Sequence, residues 1–246
     1  MRWWLGWINR ILGKGLSVSD YRELLLGCGH DRKKRLCAEP HHPQQRWQNP
    51  RGPVTLDVNK AVNPDLWCDL NSDPPWFAAP CDGSRARPED VGIDSKLRGE
   101  LDGYVTPYRV LHYMESDYWD EIHAYEVLEH LGRQGDAHAF FRQMSELWRI
   151  LKPDGYLVAT VPSRFCGGLW GDPGHARAIV AETLVFLDQS QYIAQCDHER
   201  QRTTMTDYRG IYHADFRVLQ QHDNRSQFAF VLQAVKPSRW VQLNEA

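Results

Sequence analysis

The chain has 246 residues, of which 42% are hydrophobic and 25% are charged, a mixture typical of a globular protein with a sizeable core. Its formal net charge of -3 excludes an overall electrostatic attraction to nucleic acid or to an anionic membrane. A local basic patch is still compatible with this composition.

The six cysteines are widely spaced and contain no Cys-x-x-Cys pair. This usage favours reduced thiols in a cytoplasmic protein over a disulfide framework. Cys37 lies close in sequence to His41 and His42, but this group lacks the second pair of ligands that a zinc site needs nearby. We therefore predict no metal site.

Residues 1–19 are predicted to form an amphipathic helix. Apolar side chains at positions 4, 8, 11 and 12 share one stripe, with Trp3 and Trp7 alongside. The segment is too short to span a bilayer and lacks the small-residue cleavage site of a signal peptide. We expect it to dock on its own domain; the alternative is that residues 1–12 contact a membrane surface or a partner protein.

A strand followed by a tight glycine turn is predicted at residues 22–31. Leu24 to Leu26 form an apolar run suited to a strand covered on both faces, and Gly27 and Gly29 follow where the chain must turn sharply. In an open parallel sheet, nucleotide-like ligands bind at this edge, just beyond the carboxyl ends of the strands. A Gly-x-Gly by itself is equally compatible with an ordinary strand-to-loop turn.

A short helix with a basic first turn is predicted directly after the glycine turn. Asp31 would cap it, and four basic residues follow at 32–35. Such a run usually forms a solvated face, and the alternative is that it attracts a carboxylate or a phosphate.

Two further strands are predicted to end in acidic residues. The strand at 54–58 carries Asp57 at its carboxyl end, about 28 residues after Gly29, and in a βαβ nucleotide fold an acid there accepts hydrogen bonds from ribose hydroxyls. A weaker strand at 65–71 contains Asp69, which either holds an adenine amino group or forms a turn.

Residues 20–246 are interpreted as one domain with an insertion or lid at about 77–118. The inserted segment contains several glycines and prolines with scattered charges and no sustained hydrophobic period.

A crossover unit is predicted after the insertion. A central strand at 119–125 runs into a helical segment at 126–131, and Asp136 is placed to cap a helix with an apolar stripe over 140–151. A Lys-Pro-Asp-Gly stop and a buried strand follow at 152–161.

The last part of the chain is predicted to contain a glycine-rich loop at 170–177, a helix at 181–195, and an antiparallel hairpin formed by 214–221 and 227–235. Together these elements predict an α/β protein with a Rossmann-like doubly wound sheet. The sheet should be mostly parallel, with a C-terminal antiparallel hairpin.

Several separated motifs, in this order, resemble the class I S-adenosylmethionine-dependent methyltransferases, in the branch with the methyltransferase type 11 domain. They are Leu26–Gly29, Thr55–Asp57, Cys68–Asn71, Trp119–Ile122, Glu126–His130 and Leu147–Gly155. The resemblance covers roughly residues 20–235 and omits the amino-terminal helix and the segment at 77–118.

The resemblance implies S-adenosylmethionine as the cofactor and methyl transfer as the activity. The implied cofactor residues are Gly27, Cys28 and Gly29 at the methionine part, Asp57 at the ribose, Asp69 and Leu70 at the adenine, and Glu126 in the pocket after the fourth strand. The chain departs from the family where Leu25 replaces an acid and Asp31 replaces a third glycine.

Four residues around the expected opening are candidate catalytic residues for an acceptor that must lose a proton: Glu126, His130, Asp172 and His175. A histidine titrates near neutrality, and His175 lies in a loop that could close over a substrate. Each also has a structural interpretation, as a helix cap, a surface histidine or a turn residue. The methyl acceptor itself, small molecule or macromolecule, is not identified by the sequence.

Three other functions compete with this one. Residues 73–76 read Asp-Pro-Pro-Trp, the tetrapeptide of RNA adenine N6-methyltransferases, although they precede the insertion instead of following the central strand. A second alternative is a non-catalytic scaffold that keeps the fold and anchors through its tryptophan-rich amino terminus. A nicotinamide-dependent oxidoreductase is disfavoured because Arg32 stands where the last glycine of Gly-x-Gly-x-x-Gly should be.

Overall fold

The computed structural model describes residues 21–36, 47–49, 52–72, 76–80, 112–196 and 205–240. The predictions for the amino-terminal helix, for the Cys37 and His41–His42 group, and for Asp73 to Pro75 lie outside these residues, as does most of the 77–118 segment. Over the described residues, none of the helices is both long and apolar enough to cross a membrane.

The described residues form one nine-stranded sheet in the order β5-β4-β3-β2-β1-β6-β7-β9-β8. The strands are β1 (Glu23–Leu26), β2 (Val54–Asp57), β3 (Leu66–Trp67), β4 (Phe77–Pro80), β5 (His112–Tyr113), β6 (Trp119–Tyr125), β7 (Leu151–Pro162), β8 (Phe216–Asp223) and β9 (Gln227–Ala234). The five central strands are parallel, and antiparallel pairs extend both edges. The predicted Rossmann-like α/β fold with a C-terminal antiparallel hairpin is confirmed.

The centre of the sheet is buried on both faces because three of the four residues of β1 form an apolar run. Leu24, Leu25 and Leu26 are each at most 2% exposed. Leu24 lies opposite Ile122 and Leu26 opposite Ala124 on β6, so these residues share one face and the side chain of Leu25 points to the other.

Four helices are described: α1 (Ala137–Ile150), α2 (Gly167–Gly171), α3 (Ala181–Val185) and α4 (Gln189–Cys196). The Asp136 side chain caps α1 as predicted, with its Oδ1 atom accepting from the Ala139 amide at 2.9 Å. The apolar stripe of α1 is buried in the main core of the protein.

The prediction of a single helix over 181–195 is wrong, because the structure contains two helices, α3 and α4, with a break between them. The side chain of Asp188 accepts hydrogen bonds from the amide of Ser190 at 2.9 Å and from its hydroxyl. An aspartate in this position starts a new helix, and so the chain changes direction here instead of continuing α3.

The basic helix predicted after the glycine turn is also wrong, since residues 31–36 contain no helix. The Tyr125 hydroxyl on β6 accepts hydrogen bonds from the amides of Arg35 and Leu36, each at 3.2 Å. These contacts hold the end of the segment against β6. Lys34 is consequently buried, not solvated.

The described ends of the segment at 77–118 are the short strands β4 and β5, which pair with each other and extend the sheet beyond β3. The helical segment predicted at 126–131 is a single 3-10 turn, Leu128–His130. Among the described cysteines, Cys28, Cys68, Cys166 and Cys196 are all free thiols.

Candidate functional site

The glycine turn and the acid predicted to bind ribose lie next to each other at the carboxyl ends of β1 and β2. Asp57 Oδ2 accepts from the Gly29 amide at 2.9 Å, and Oδ1 accepts from the Asn59 amide at 2.8 Å. A carboxylate oxygen has two lone pairs, so each oxygen retains acceptor capacity beyond these bonds. Asp57 therefore holds the turn in place and can still accept a hydrogen bond from a ligand hydroxyl.

The two glycines of the turn have left-handed backbone conformations, with φ of +54° at Gly27 and +51° at Gly29. A Cβ on Gly27 would lie 2.4 Å from Cγ2 of Val127, so the turn touches the chain after β6 with no room for a side chain. A Cβ on Gly29 would meet nothing within 4 Å. Close approach to the main chain is thus open at Gly29, as the cofactor prediction requires.

Cys28 lies between the two glycines and faces the protein. It is 4% exposed, and its amide donates to the Leu56 carbonyl at 3.3 Å. Burial raises the pKa of the Cys28 thiol, and the nearby charge of Asp57 raises it further. The side chain is therefore a neutral packing group, and any contact with a ligand would involve its backbone.

The residues predicted to flank an adenine follow β3. Asp69 is exposed and accepts from the Asn71 amide at 2.9 Å, and Leu70 is buried. Asn71 reaches across to the loop after β6, where it accepts from the Gly132 amide at 2.8 Å and donates to the His130 carbonyl at 3.3 Å. Asp69 thus forms a turn, which was one of the two roles predicted from the sequence. Its side chain is exposed and therefore accessible to a ligand.

A cavity of about 630 Å³ lies at the carboxyl ends of β6 and β7. Three of the four candidate catalytic residues line it, namely Glu126, Asp172 and His175, and His130 does not. The other lining residues are Pro162, Cys166, Gly168, Gly171, Pro173, Ser226 and Gln227. The lining is thus mixed, with several polar side chains among glycines and prolines.

Glu126 occupies a strained position directly after β6. Its φ is +57°, a left-handed conformation that is uncommon for a residue with a side chain. Its amide donates to the Thr160 carbonyl at 2.8 Å, and Oε1 accepts from the Gln227 side chain at 3.0 Å. Strain of this kind is concentrated at functional sites.

The two histidines are held by backbone carbonyls. His130 Nδ1 lies 2.9 Å from the Gly174 carbonyl oxygen, and His175 Nδ1 lies 3.2 Å from that of Leu169. Their rings are 4.8 Å apart, centroid to centroid, in an edge-on arrangement. His175 Nε2 is also 3.7 Å from Asp172 Oδ2. The fold thus brings His130 and His175, which are 45 residues apart in the sequence, into one cluster.

Glu129 belongs to the same cluster and was not selected from the sequence as a site residue. It is 0% exposed, and neither carboxylate oxygen has a hydrogen-bond partner among the described residues. Burial raises its pKa to about 7, and the charge of Glu126 adds to that effect. The available signal was its place three residues after Glu126 within one motif.

Backbone contacts fix the loop after β6 against the loop that carries His175. The Glu129 carbonyl accepts from the amides of Ala176 and Arg177 at 2.7 and 3.1 Å. The buried Arg177 side chain then donates to the Leu131 carbonyl at 3.0 Å. The cluster is thus held in position by the main chain, which is the requirement for a preorganised site.

No protein-family model and no curated protein sequence matches the chain. Its fold is similar to that of a SAM-dependent methyltransferase from Archaeoglobus fulgidus, at 14% identity over 93% of this chain and 91% of the other, with a TM-score of 0.40. An S-adenosylmethionine-dependent methyltransferase from Mesorhizobium loti is similar at 13% identity, over 89% and 93% of the chains, with a TM-score of 0.37. The trans-methyltransferase CalH, in complex with SAH, is similar at 10% identity, over 88% and 52%, with a TM-score of 0.42. Likeness at such identities concerns the fold alone.

Proposed function

We propose that this chain is an S-adenosylmethionine-dependent methyltransferase. The observation that carries the proposal is the position of Asp57, whose carboxylate lies against the Gly29 amide at the carboxyl edge of parallel strands. Ligands with an adenosyl group bind at this edge in open α/β sheets, with an acid holding the ribose. The motif order of the sequence, which resembles that of type 11 methyltransferases, supports the same function.

S-adenosylmethionine supplies, when bound, a methyl group on a positively charged sulfur that a nucleophile can displace. In this chain the main chain of Gly27 to Gly29 would approach the methionine part, and Asp57 would accept from the ribose hydroxyls. Asp69 and Leu70 would flank the adenine. The open side of Gly29 and the spare lone pairs of Asp57 fit these roles.

The cavity beyond β6 and β7 is the proposed acceptor side. Its volume of about 630 Å³ is in the range of small-molecule sites, and it also suits one residue or base of a macromolecule. Glu126, Asp172 and His175 line this cavity, and in this proposal they would orient the acceptor and take a proton from it. The buried position of Trp76, in the core beside α1, gives no support to the adenine N6 alternative.

The proposal predicts that the chain binds S-adenosylhomocysteine, the unreactive product form of the cofactor, and that Asp57→Asn weakens this binding. A hydrogen bond to a charged group contributes about 1.5–3 kcal/mol, so the loss should be about tenfold or more in Kd. Isothermal titration calorimetry measures the Kd for S-adenosylhomocysteine, and circular dichroism verifies that the variant is folded.

Asp154→Asn is the matched control. Asp154 is exposed, and its φ of +62° suits asparagine equally well. Its binding should equal that of the unmodified chain. An unmodified chain that binds no S-adenosylhomocysteine, or equal binding by Asp57→Asn, would overturn the proposal and favour the non-catalytic scaffold.

A further inference from the structure

The starting observation is a buried carboxylate with no partner that faces two histidines. Glu129, His130 and His175 each offer one ligating atom, and these atoms lie within 4.8 Å of one another. Glu129 is 0% exposed and neither of its oxygens is hydrogen-bonded among the described residues. A buried carboxyl group in this state is costly unless a cation or a donor satisfies it.

Both histidines are oriented for metal binding. Carbonyl oxygens only accept, and so each ring must donate from Nδ1, to Gly174 at 2.9 Å and to Leu169 at 3.2 Å. These bonds place the proton on Nδ1 and leave the Nε2 lone pair available. A backbone carbonyl on the far ring nitrogen is the usual support of a histidine that ligates a metal.

Two further carboxylates lie near Glu129. Glu126 and Asp172 both raise the pKa of Glu129, whereas the charge of His175 acts in the opposite direction. A bound cation would reverse the effect of Glu126 and Asp172, since it would be attracted by all three carboxylates.

We propose that Glu129, His130 and His175 bind one divalent transition-metal cation at the edge of the cavity. Imidazole nitrogens with one carboxylate suit zinc, iron and related ions better than magnesium, which prefers an all-oxygen shell. Three protein ligands are the number found in catalytic sites that keep a position open for substrate. This assignment goes beyond the sequence, from which no metal was predicted.

His175 lines the cavity beside Glu126 and Asp172, so a bound cation would lie next to the proposed acceptor. A role of the cation in catalysis rests on the proposed methyltransferase function. Such a role would favour an acceptor whose reacting atom is an oxygen, because a metal lowers the pKa of a bound hydroxyl. The metal binding itself does not depend on that function.

The test is titration of the full chain, freed of metal with EDTA, with cobalt(II) chloride, followed by competition with zinc. We expect one equivalent of cobalt with visible absorption typical of imidazole and carboxylate ligands. Glu129→Gln, His130→Ala and His175→Ala should each weaken binding by about tenfold or more. His130 is exposed, so its variant should remain folded even where the Glu129 variant does not.

His213→Ala is the matched control, since this exposed histidine stacks on Trp240 just before β8. It should bind cobalt like the unmodified chain. Absence of cobalt binding, unchanged binding in both histidine variants of the site, or a spectrum dominated by thiolate would each overturn the proposal.

S-adenosylhomocysteine binding separates this proposal from the first. His130→Ala should weaken cobalt binding and leave S-adenosylhomocysteine binding unchanged, whereas Asp57→Asn should weaken S-adenosylhomocysteine binding and leave cobalt binding unchanged. Failure of the cofactor titration alone would therefore leave the metal site standing, and failure of the cobalt titration alone would leave the methyltransferase function standing.

Discussion

Among the described residues, two clusters combine a buried glutamate with histidine, and one of these two contains its own cation. Glu23, Glu121 and His123 lie together on one face of β1 and β6, and Lys34 Nζ lies 2.7 Å from each glutamate. Glu129, His130 and His175 form the second cluster, in which no lysine or arginine among the described residues bonds to the Glu129 carboxylate.

The contrast extends to the remaining hydrogen bonds. In the first cluster, Glu23 Oε2 also accepts from the Asn49 amide, and His123 bonds to Glu121 at 3.1 Å and to Tyr125 at 2.8 Å. Each of these side chains has a hydrogen-bond partner and the cluster contains its own cation, so we expect it to stabilise the fold instead of binding a metal. The second cluster leaves its carboxylate unsatisfied next to a cavity, which is the arrangement of a binding site.

The pKa directions agree with this distinction. Burial acts to raise the pKa of Glu121, but the hydrogen bond from His123 and the charge of Lys34 outweigh it and lower the pKa to about 2. Burial of Lys34 is likewise outweighed by the two carboxylates, which raise its pKa. At Glu129 nothing outweighs burial, and the pKa is raised to about 7.

The largest expected effect is that of Lys34→Met, which would turn the first cluster into one without a cation. Two buried carboxylates, Glu23 and Glu121, would then lie next to each other without a cation. Breaking a buried ion pair by removing one partner costs about 3–5 kcal/mol. Urea unfolding at neutral pH measures the loss. Lys33→Met, at the exposed neighbouring position, should change stability by less than about 0.5 kcal/mol; an equal loss in both variants would contradict the role of Lys34.

Glu121→Gln should have a smaller effect, about 2 kcal/mol at neutral pH, because Lys34 keeps its bond to Glu23. A pKa of about 2, below the ordinary 4.5, means that the stabilisation by Glu121 is fully present above pH 4.5 and is lost as the pH falls towards 2. The difference between variant and unmodified chain should therefore shrink over that interval.

Unfolding curves collected between pH 7 and pH 2.5 measure this change. Lys34, Glu23, His123 and the Tyr21 hydroxyl all interact with Glu121, and each is still present in the variant. A difference that stays constant over the whole range would show that the charge of Glu121 contributes nothing.

The smallest expected effect is that of Glu129→Met, measured by urea unfolding in the presence of EDTA. Methionine replaces an unpartnered carboxyl group by an apolar group of similar length, so stability should change by less than about 1 kcal/mol or should rise. A loss as large as that of Lys34→Met would mean that Glu129 has a structural partner in the metal-free protein.

Local patterns in the sequence determined the architecture. The apolar run at Leu24 to Leu26, the strand at Trp119–Tyr125 and the Asp136 cap all depend on residues close in the chain, and the structure has them where the sequence predicted them. Asp57 was also found this way, since its place at the end of β2 follows from strand alternation. The roles of all the cofactor residues, Asp57 included, remain predictions.

Only the tertiary structure decided which charged residues are buried and which of them have partners. The basic run at 32–35 looks like a solvated face, but the Tyr125 hydroxyl holds the backbone beside it and places Lys34 between two glutamates. Glu129 looks like one more polar residue of a motif, but its carbonyl accepts from the amides of Ala176 and Arg177, more than 40 residues away, and its carboxylate is buried. Burial and pairing are long-range properties, because the cost of an unpaired charge is set by what the folded chain brings next to it.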